Sequence, residues 1–309
     1  KKKTTWNRQS SLRIKNIIIR DCGILDEIIE IRLRINSPIL IKTLKREFFL
    51  DESIVITKKD IDDILGNLTK NSIHAFENEI NKGYITTEGG HRVGISGDCI
   101  YDKNGLKGFK NITSLNIRIA KEFPGCSEKA LKHFITPDKN IYNTLIIGPP
   151  LSGKTTLIRD VARNLSDGFK NPYFEGCDVT LIDERGEISA VYNGIPQMNT
   201  GRRTDVLSYC KKSDGFFMSI RALSPKVIVS DELGSLEDFE IIQYALKSGI
   251  KVVATAHGFS LDDVKRNLYL KNIIDNNFFE RAFVLDKRPL KVNEVFDFQK
   301  NRVIYNDLD

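Results

Sequence analysis

Residues 148–155 read Gly148-Pro149-Pro150-Leu151-Ser152-Gly153-Lys154-Thr155. Two glycines spaced this way ahead of a lysine and a hydroxyl residue form the loop whose backbone N–H groups wrap the phosphates of a nucleotide. The flanks agree with that reading. Thr144, Leu145, Ile146 and Ile147 have the length and apolar character of a buried strand, and residues 156–162 carry the apolar periodicity of a helix. Glycine permits backbone dihedrals closed to other residues and a close approach to an anion. The motif therefore makes 148–155 and the following Thr156 candidate nucleotide contacts. Lys154 would reach the β- and γ-phosphates, Thr155 would ligate Mg²⁺, and the helix N-terminus would add a favourable dipole. A chance Gly/Pro turn would need neither the strand before it nor the helix after it.

Three further apolar runs follow: 179–182, 227–229 and 252–255. Each is short, β-branched and followed by polar residues, as in a parallel sheet buried on both faces. Ligands of such sheets sit at the carboxyl ends of the strands. Val227-Ile228-Val229-Ser230 ends in Asp231 and Glu232. Asp231 is placed to hold Mg²⁺ through water, and Glu232 to orient or deprotonate an attacking water. Val179-Thr180-Leu181-Ile182 ends in Asp183, Glu184 and Arg185, a second acidic strand end. Sequence does not decide which glutamate is the base. Glu232 is preferred because its strand is the longer apolar stretch, leaving Glu184 a supporting or water-positioning role. Acidic pairs at strand ends also cap helices, and Glu184 has Arg185 and Arg203 as possible ion-pair partners. His257, in Thr255-Ala256-His257-Gly258, is placed to hydrogen-bond the γ-phosphate or the water, against the blander reading of a structural histidine. Arg203, Arg221, Arg92 and Arg118 are candidates for stabilising transition-state charge, as a group rather than individually.

A length of 309 residues suits about two domains. Pro124-Gly125 interrupts a strand-like run, which places an α+β N-terminal domain at 1–124 and an α/β P-loop domain with a parallel sheet at 125–309. In the first, 27–35 alternates apolar and charged residues, the pattern of a strand with one wet face. Thr57 and Asp60 form a capping-box signal for a helix through Ile61, Ile64, Leu65 and Leu68, and a second helix is expected over 73–81. Strands are expected at 84–86, 92–96 and 115–119, with a hairpin signal at Asn104-Gly105. In the second domain a helix is expected near 128–134.

No run approaches the ~18 apolar residues of a membrane span, and no apolar stretch follows the basic start, so the chain is expected to stay in the cytosol without a transmembrane segment of its own. Five scattered cysteines, never in C-x-x-C spacing, fit reduced structural thiols. The net charge of +6 and pI near 8.9 suit a phosphate-binding enzyme or a protein resting on anionic lipid or nucleic acid. The even spread of the basic residues, without aromatic stacking clusters, argues against nucleic acid.

In order along the chain, GGHRVGISG (89–97), SLNIRIA (114–120), GPPLSGKTT (148–156), LIDERGEI (181–188), GIPQMNTGRRTDVL (194–207), IRALSPKVIVSDELG (220–234) and ATAHG (254–258) resemble the stage III sporulation protein AA family, relatives of the type II and type IV secretion and pilus ATPases. The resemblance covers about 27–285. It implies an N-terminal regulatory domain joined to a RecA-like ATPase domain that binds ATP and Mg²⁺. It also implies a hexameric ring with nucleotide between the domains, in which Arg92 and Arg118 are candidates to reach into the site. The implied role is to energise a channel complex between mother cell and forespore, held at the mother-cell side of the outer forespore membrane by membrane proteins. Two other readings remain beside the ring-forming motor: a nucleic-acid-stimulated translocase on the same core, and a nucleotide-dependent scaffold with little turnover.

Overall fold

The computed structural model describes residues 27–306 except 44, 70–75, 82 and 104. These form two compact units: one holds the chain up to Lys121 together with Ala190–Gln197, the other Glu122–Ser189 and Met198 onward.

The first unit is a six-stranded sheet of order β3-β2-β1-β6-β5-β4, every neighbouring pair antiparallel. Its strands are β1 (Ile28–Arg34), β2 (Leu40–Thr43), β3 (Glu47–Phe49), β4 (Tyr84–Thr86), β5 (Arg92–Asp102) and β6 (Gly105–Arg118). The alternation expected for 27–35 is seen in β1, where Ile31 and Leu33 are buried and Arg34 is exposed. Helix α1 (Lys58–Leu68) opens on the expected capping box. Thr57 N donates to Asp60 Oδ2 at 2.8 Å and Asp60 N to Thr57 Oγ1 at 3.2 Å. Its Ile61, Ile64, Leu65 and Leu68 join Ile31, Leu33, Val93 and Ile117 in one core.

Two details depart from the sequence pattern, in β5 and β6 and in the second helix, while the hairpin turn falls where its signal lies. Strands β5 and β6 run far beyond 92–96 and 115–119, because residues beyond Ile95 and before Leu115 are mostly exposed and leave no apolar period. The hairpin turn falls between Asp102 and Gly105, with Asn104 outside the described residues. Of the helix expected over 73–81, residues 73–75 lie outside the described residues and Glu77–Ile80 form one turn.

The second unit is an eight-stranded sheet of order β14-β13-β12-β7-β11-β10-β8-β9. Its strands are β7 (Thr144–Gly148), β8 (Val179–Asp183), β9 (Thr204–Ser208), β10 (Val227–Leu233), β11 (Lys251–His257), β12 (Arg281–Leu285), β13 (Val292–Asp297) and β14 (Arg302–Asn306). β12, β7, β11, β10, β8 and β9 pair in parallel, and β13 and β14 extend the edge antiparallel. Both faces are covered, which explains the unbroken apolar runs. Ile146, Leu181, Val229 and Val253 face a core shared with Leu157, Ile158, Val161 and Leu165 of α2 (Lys154–Asp167). Leu145, Ile182, Ile228 and Val252 face a second core. That core takes Phe216 of α3 (Lys212–Met218), Ile241 and Ile242 of α4 (Leu236–Lys247), and Leu270, Ile273 and Ile274 of α5 (Leu268–Asp275).

The helix expected near 128–134 is instead a run of tight i→i+3 turns ending in the 3₁₀ segment Leu131–His133. Its N-terminal end is fixed by α2, since Asp160 accepts from Gly125 N (3.1 Å), Ser127 N (2.9 Å) and Ser127 Oγ (2.6 Å). The run leads to Phe134, fully buried and stacked on Phe283 with centroids 4.4 Å apart. Phe134→Ala is expected to cost about 3–5 kcal/mol through the cavity it leaves, read by denaturant unfolding with Phe134→Leu as the milder control.

Candidate functional site

The parallel register sets the site. Gly148 at the end of β7 pairs with His257 at the end of β11, and Ser230↔Ile182 pairing puts Asp231 alongside Asp183. The phosphate loop therefore opens beside two acidic strand ends.

The loop is built for close approach. A Cβ on Gly148 would stand 2.5 Å from Ser152 Oγ and 3.1 Å from Leu285 Cβ. Gly153 has φ 89° and caps α2, and a Cβ there would meet Leu290 Cδ2 at 2.8 Å. Leu290 N also donates to Ser152 O at 2.9 Å, so the β12–β13 turn buttresses the loop. Leu151, at the tip with φ 65°, is 91% exposed. Ser152 Oγ is buried without a hydrogen-bond partner. Lys154 Nζ folds back onto the Gly148 and Pro149 carbonyls at 2.6 and 3.0 Å. Burial holds its ammonium below the ordinary lysine value, and the Glu232 carboxylate opposes that shift. A loop with two Cβ-free positions, a spare hydroxyl and a lysine resting on its own carbonyls fits an anion of phosphate size.

The acidic ends have different jobs. Asp183, fully buried, accepts from Glu187 N (2.8 Å), Ile188 N (3.1 Å), Ser189 N (2.8 Å) and Ser189 Oγ (2.6 Å). The loop so gathered is strapped to α2 by the buried Arg159, which donates to Glu187 O at 2.8 Å and to Ile188 O. Asp183, named in the sequence only as part of a second acidic strand end, is thus an organising carboxylate. Asp231 has no such support. Burial first, and then the neighbouring Asp183, push its carboxyl up to about 7, with Lys212 opposing. Two carboxylates crowded at neighbouring strand ends fit a divalent cation, through oxygen ligands and bound water. Thr155, in the first turn of α2, is the hydroxyl on the loop side.

Glu232 lies one residue further, at a bulge between Ser230 and Leu233 of β10, with φ 42°. A left-handed non-glycine residue costs about 1–2 kcal/mol. It is held there by Thr255 Oγ1, which accepts from its N–H at 2.8 Å. Its carboxylate pairs with Arg185 at 2.5 Å, the guanidinium that the sequence offered to Glu184. Glu184, Arg185, Glu232 and His257 line one groove of about 630 Å³. Glu184 and His257 are exposed side chains within it.

Within the second unit, Arg203 and Arg221 are not among the described residues that line this groove. Arg203 precedes β9, beside Val179 at the amino end of β8, the opposite end of the strands from Asp183. Arg221 sits on the π-helical turn Ser219–Leu223, its guanidinium 5.7 Å from the Phe217 ring centre. In the first unit Arg92 and Arg118 are register partners across β5 and β6. Arg92 lies over Tyr84 at 3.8 Å, and Arg118 reaches Glu30 at 3.6 Å. Burial pushes the Cys126 and Cys177 thiols up to about 12, as structural thiols would be; Cys22 lies outside the described residues.

Because burial favours the neutral form of Asp231, its contribution to stability is full below its unfolded value of 3.8 and is lost as pH rises through about 7. In metal-free buffer Asp231→Asn should therefore stabilise the protein at pH 8, by up to about 4 kcal/mol, with the gain shrinking towards pH 5. Denaturant unfolding at the two pH values checks the sign.

The family "Sporulation stage III, protein AA" matches residues 1–303. Stage III sporulation protein AA of Bacillus subtilis (strain 168) is 40% identical over 279 residues, covering 89% of this chain and 88% of that protein. A Cyanidium caldarium protein, ycf45, is 28% identical over 186 residues, covering 60% of this chain and 50% of its own length. Among solved structures, the Yersinia pseudotuberculosis ATPase DotB superposes with a TM-score of 0.65 at 16% identity, covering 94% of this chain and 81% of the other. The Legionella pneumophila ATPase DotB gives 0.63 at 16% identity (94% and 82%). The pilus retraction motor PilT with bound ADP gives 0.55 at 16% identity (87% and 77%). The fold is thus that of the secretion and pilus ATPases. Among the described residues no helix is long and apolar enough to cross a membrane. The chain belongs to the sporulation stage III protein AA family.

Proposed function

We propose that this protein is an ATPase that hydrolyses ATP to ADP and phosphate and thereby energises a sporulation channel complex between mother cell and forespore. The observation that carries the reading is the convergence of the phosphate loop, Asp231 and Glu232 at the carboxyl ends of neighbouring parallel strands. The phosphates of ATP would lie on the loop 148–155 and the first turn of α2 through Thr156, with Thr155 and Asp231 holding Mg²⁺. The cation supplies charge neutralisation of the phosphates when bound. Lys154 would leave the Gly148 and Pro149 carbonyls for the β/γ-phosphates. Glu232, released from Arg185, would orient and deprotonate the attacking water. Glu184 and His257, in the same groove, would position that water and report the γ-phosphate. Arg185, parted from Glu232, would then turn to phosphate charge.

In this proposal the domain at 125–309 is the motor and the domain at 1–124 its regulatory and partner-binding part. Arg92, Arg118, Arg203 and Arg221 would act as a group across a homo-oligomeric interface. A hexameric ring, seated by membrane proteins at the mother-cell side of the outer forespore membrane, would complete the site. One observation favours a second reading, a scaffold with little turnover. In the isolated chain Glu232 is paired and Lys154 rests on loop carbonyls. Single-turnover hydrolysis by the assembled protein separates the two.

Lys154→Ala should weaken ATP binding by at least ~100-fold, as loss of a buried charge-assisted contact does, measured by titration calorimetry. Glu232→Gln should keep ATP affinity within about threefold while hydrolysis falls ~10²–10³-fold. Turnover at the wild-type rate in Glu232→Gln, with loss in Glu184→Gln, would transfer the base to Glu184.

A further inference from the structure

Glu232 has lost its strand partners. The register of β10 against β11 breaks between Ser230 and Leu233, so neither its N–H nor its carbonyl belongs to the ladder. A bulge of this kind re-aims a side chain, and it persists only if the freed backbone groups find other partners. Thr255 Oγ1 takes the N–H at 2.8 Å. The carbonyl accepts a hydrogen bond from Lys212 Nζ at 2.6 Å.

Lys212 is an unusual choice for that task. Its side chain is only 13% exposed, and its ammonium also donates to Asp238 Oδ1 at 2.9 Å, a carboxylate 3% exposed. Asp238 does not need the lysine for its capping role. Its other oxygen, Oδ2, accepts from Gly234 N and Ser235 N, both at 2.7 Å, and closes the capping box of α4. A buried ion pair contributes little net stability. What this one adds is a fixed donor beneath the Glu232 peptide. The lysine arrives there because α3 lies close against β8: a Cβ on Gly215 would stand 2.9 Å from Ile182 Cγ2. Lys212 is the first residue of that helix, and it lines the same groove as Glu232 and His257.

We propose that Lys212 is a positioning residue: anchored by Asp238, it holds the Glu232 carbonyl in the β10 bulge and so aims the Glu232 carboxylate at the water it activates. The proposal rests on the reading of Glu232 as the base. Lys212 touches neither nucleotide nor water in this account; it acts through the backbone of Glu232. Small errors of aim at a reacting group are expensive, on the order of 10²-fold in rate for ~1 Å.

The test uses the full chain under conditions where the wild type turns over. Lys212→Met should lower kcat ~10–100-fold while KM and the affinity for a non-hydrolysable ATP analogue stay within about twofold. Lys212→Arg should recover a large part of kcat. Because Lys212→Met leaves Asp238 uncompensated, the double variant Lys212→Met/Asp238→Asn should restore the thermal midpoint without restoring kcat. A kcat for Lys212→Met within twofold of wild type, or one that returns with stability in the double variant, would overturn the proposal. A second readout does not require hydrolysis: the crystal structure of Lys212→Met should show Glu232 out of the left-handed region. A residue 232 still at positive φ there would count against Lys212 even if wild-type protein proved inactive, an inactivity that would sink the ATPase reading separately.

Discussion

The parallel pairing of β7, β11, β10 and β8 is the constraint on which the rest depends. Four strands running the same way place Gly148, His257, Asp231 and Asp183 at one edge of the sheet. Such pairing needs crossover connections, and the helices that supply them bury both faces. The result is a rigid floor with every chemically capable group at its rim. α2 begins at that rim, so its amino end and the loop before it face the acidic strand ends.

In the proposed function the charges at the rim await a ligand that brings both phosphate and metal. Lys154 is occupied by loop carbonyls, and Arg185 by Glu232. Burial, and then the neighbouring Asp183, push the Asp231 carboxyl up to about 7. Each of these is a resting contact that a magnesium nucleotide would replace with a stronger one: phosphate for carbonyl on Lys154, cation for proton on Asp231. The groups that must not move are tied differently. Asp183 is saturated by the backbone of 187–189 and Ser189 Oγ, Asp160 by Ser127 and Gly125, and Asp238 by the α4 cap and Lys212. These three and Asp231 are all buried, so it is saturation by hydrogen bonds that separates the fixed carboxylates from the exchangeable Asp231.

How legible this was in the sequence depends on the range of the interactions. The glycine-rich loop between strand and helix, the buried strands β7, β8, β10 and β11 and the Thr57–Asp60 cap are local patterns, and the structure shows each where the pattern put it; β12, equally buried, was not expected. β9 and the extended halves of β5 and β6 were missed because their side chains are largely exposed or half-buried, so no period marks them. Asp183 and Asp231 look equivalent in sequence. Only the loop that returns to one of them, and the lysine that arrives from α3 near the other, makes them different. Likewise Arg185, adjacent to Glu184, pairs with Glu232 because the sheet brings β8 and β10 together. Lys212 carried no local signal, as its partners lie 20 and 26 residues away.

The central claim is that the loop at 148–155 is a nucleotide cradle whose lysine changes partners on loading. A crystal structure with Mg²⁺ and a non-hydrolysable ATP analogue tests it most directly. The account predicts phosphates on the loop N–H groups, Lys154 Nζ moved from the Gly148 and Pro149 carbonyls to the β/γ-phosphates, and Mg²⁺ between Thr155 and Asp231. An analogue bound elsewhere, or Lys154 still resting on those carbonyls with phosphate in the loop, would contradict it.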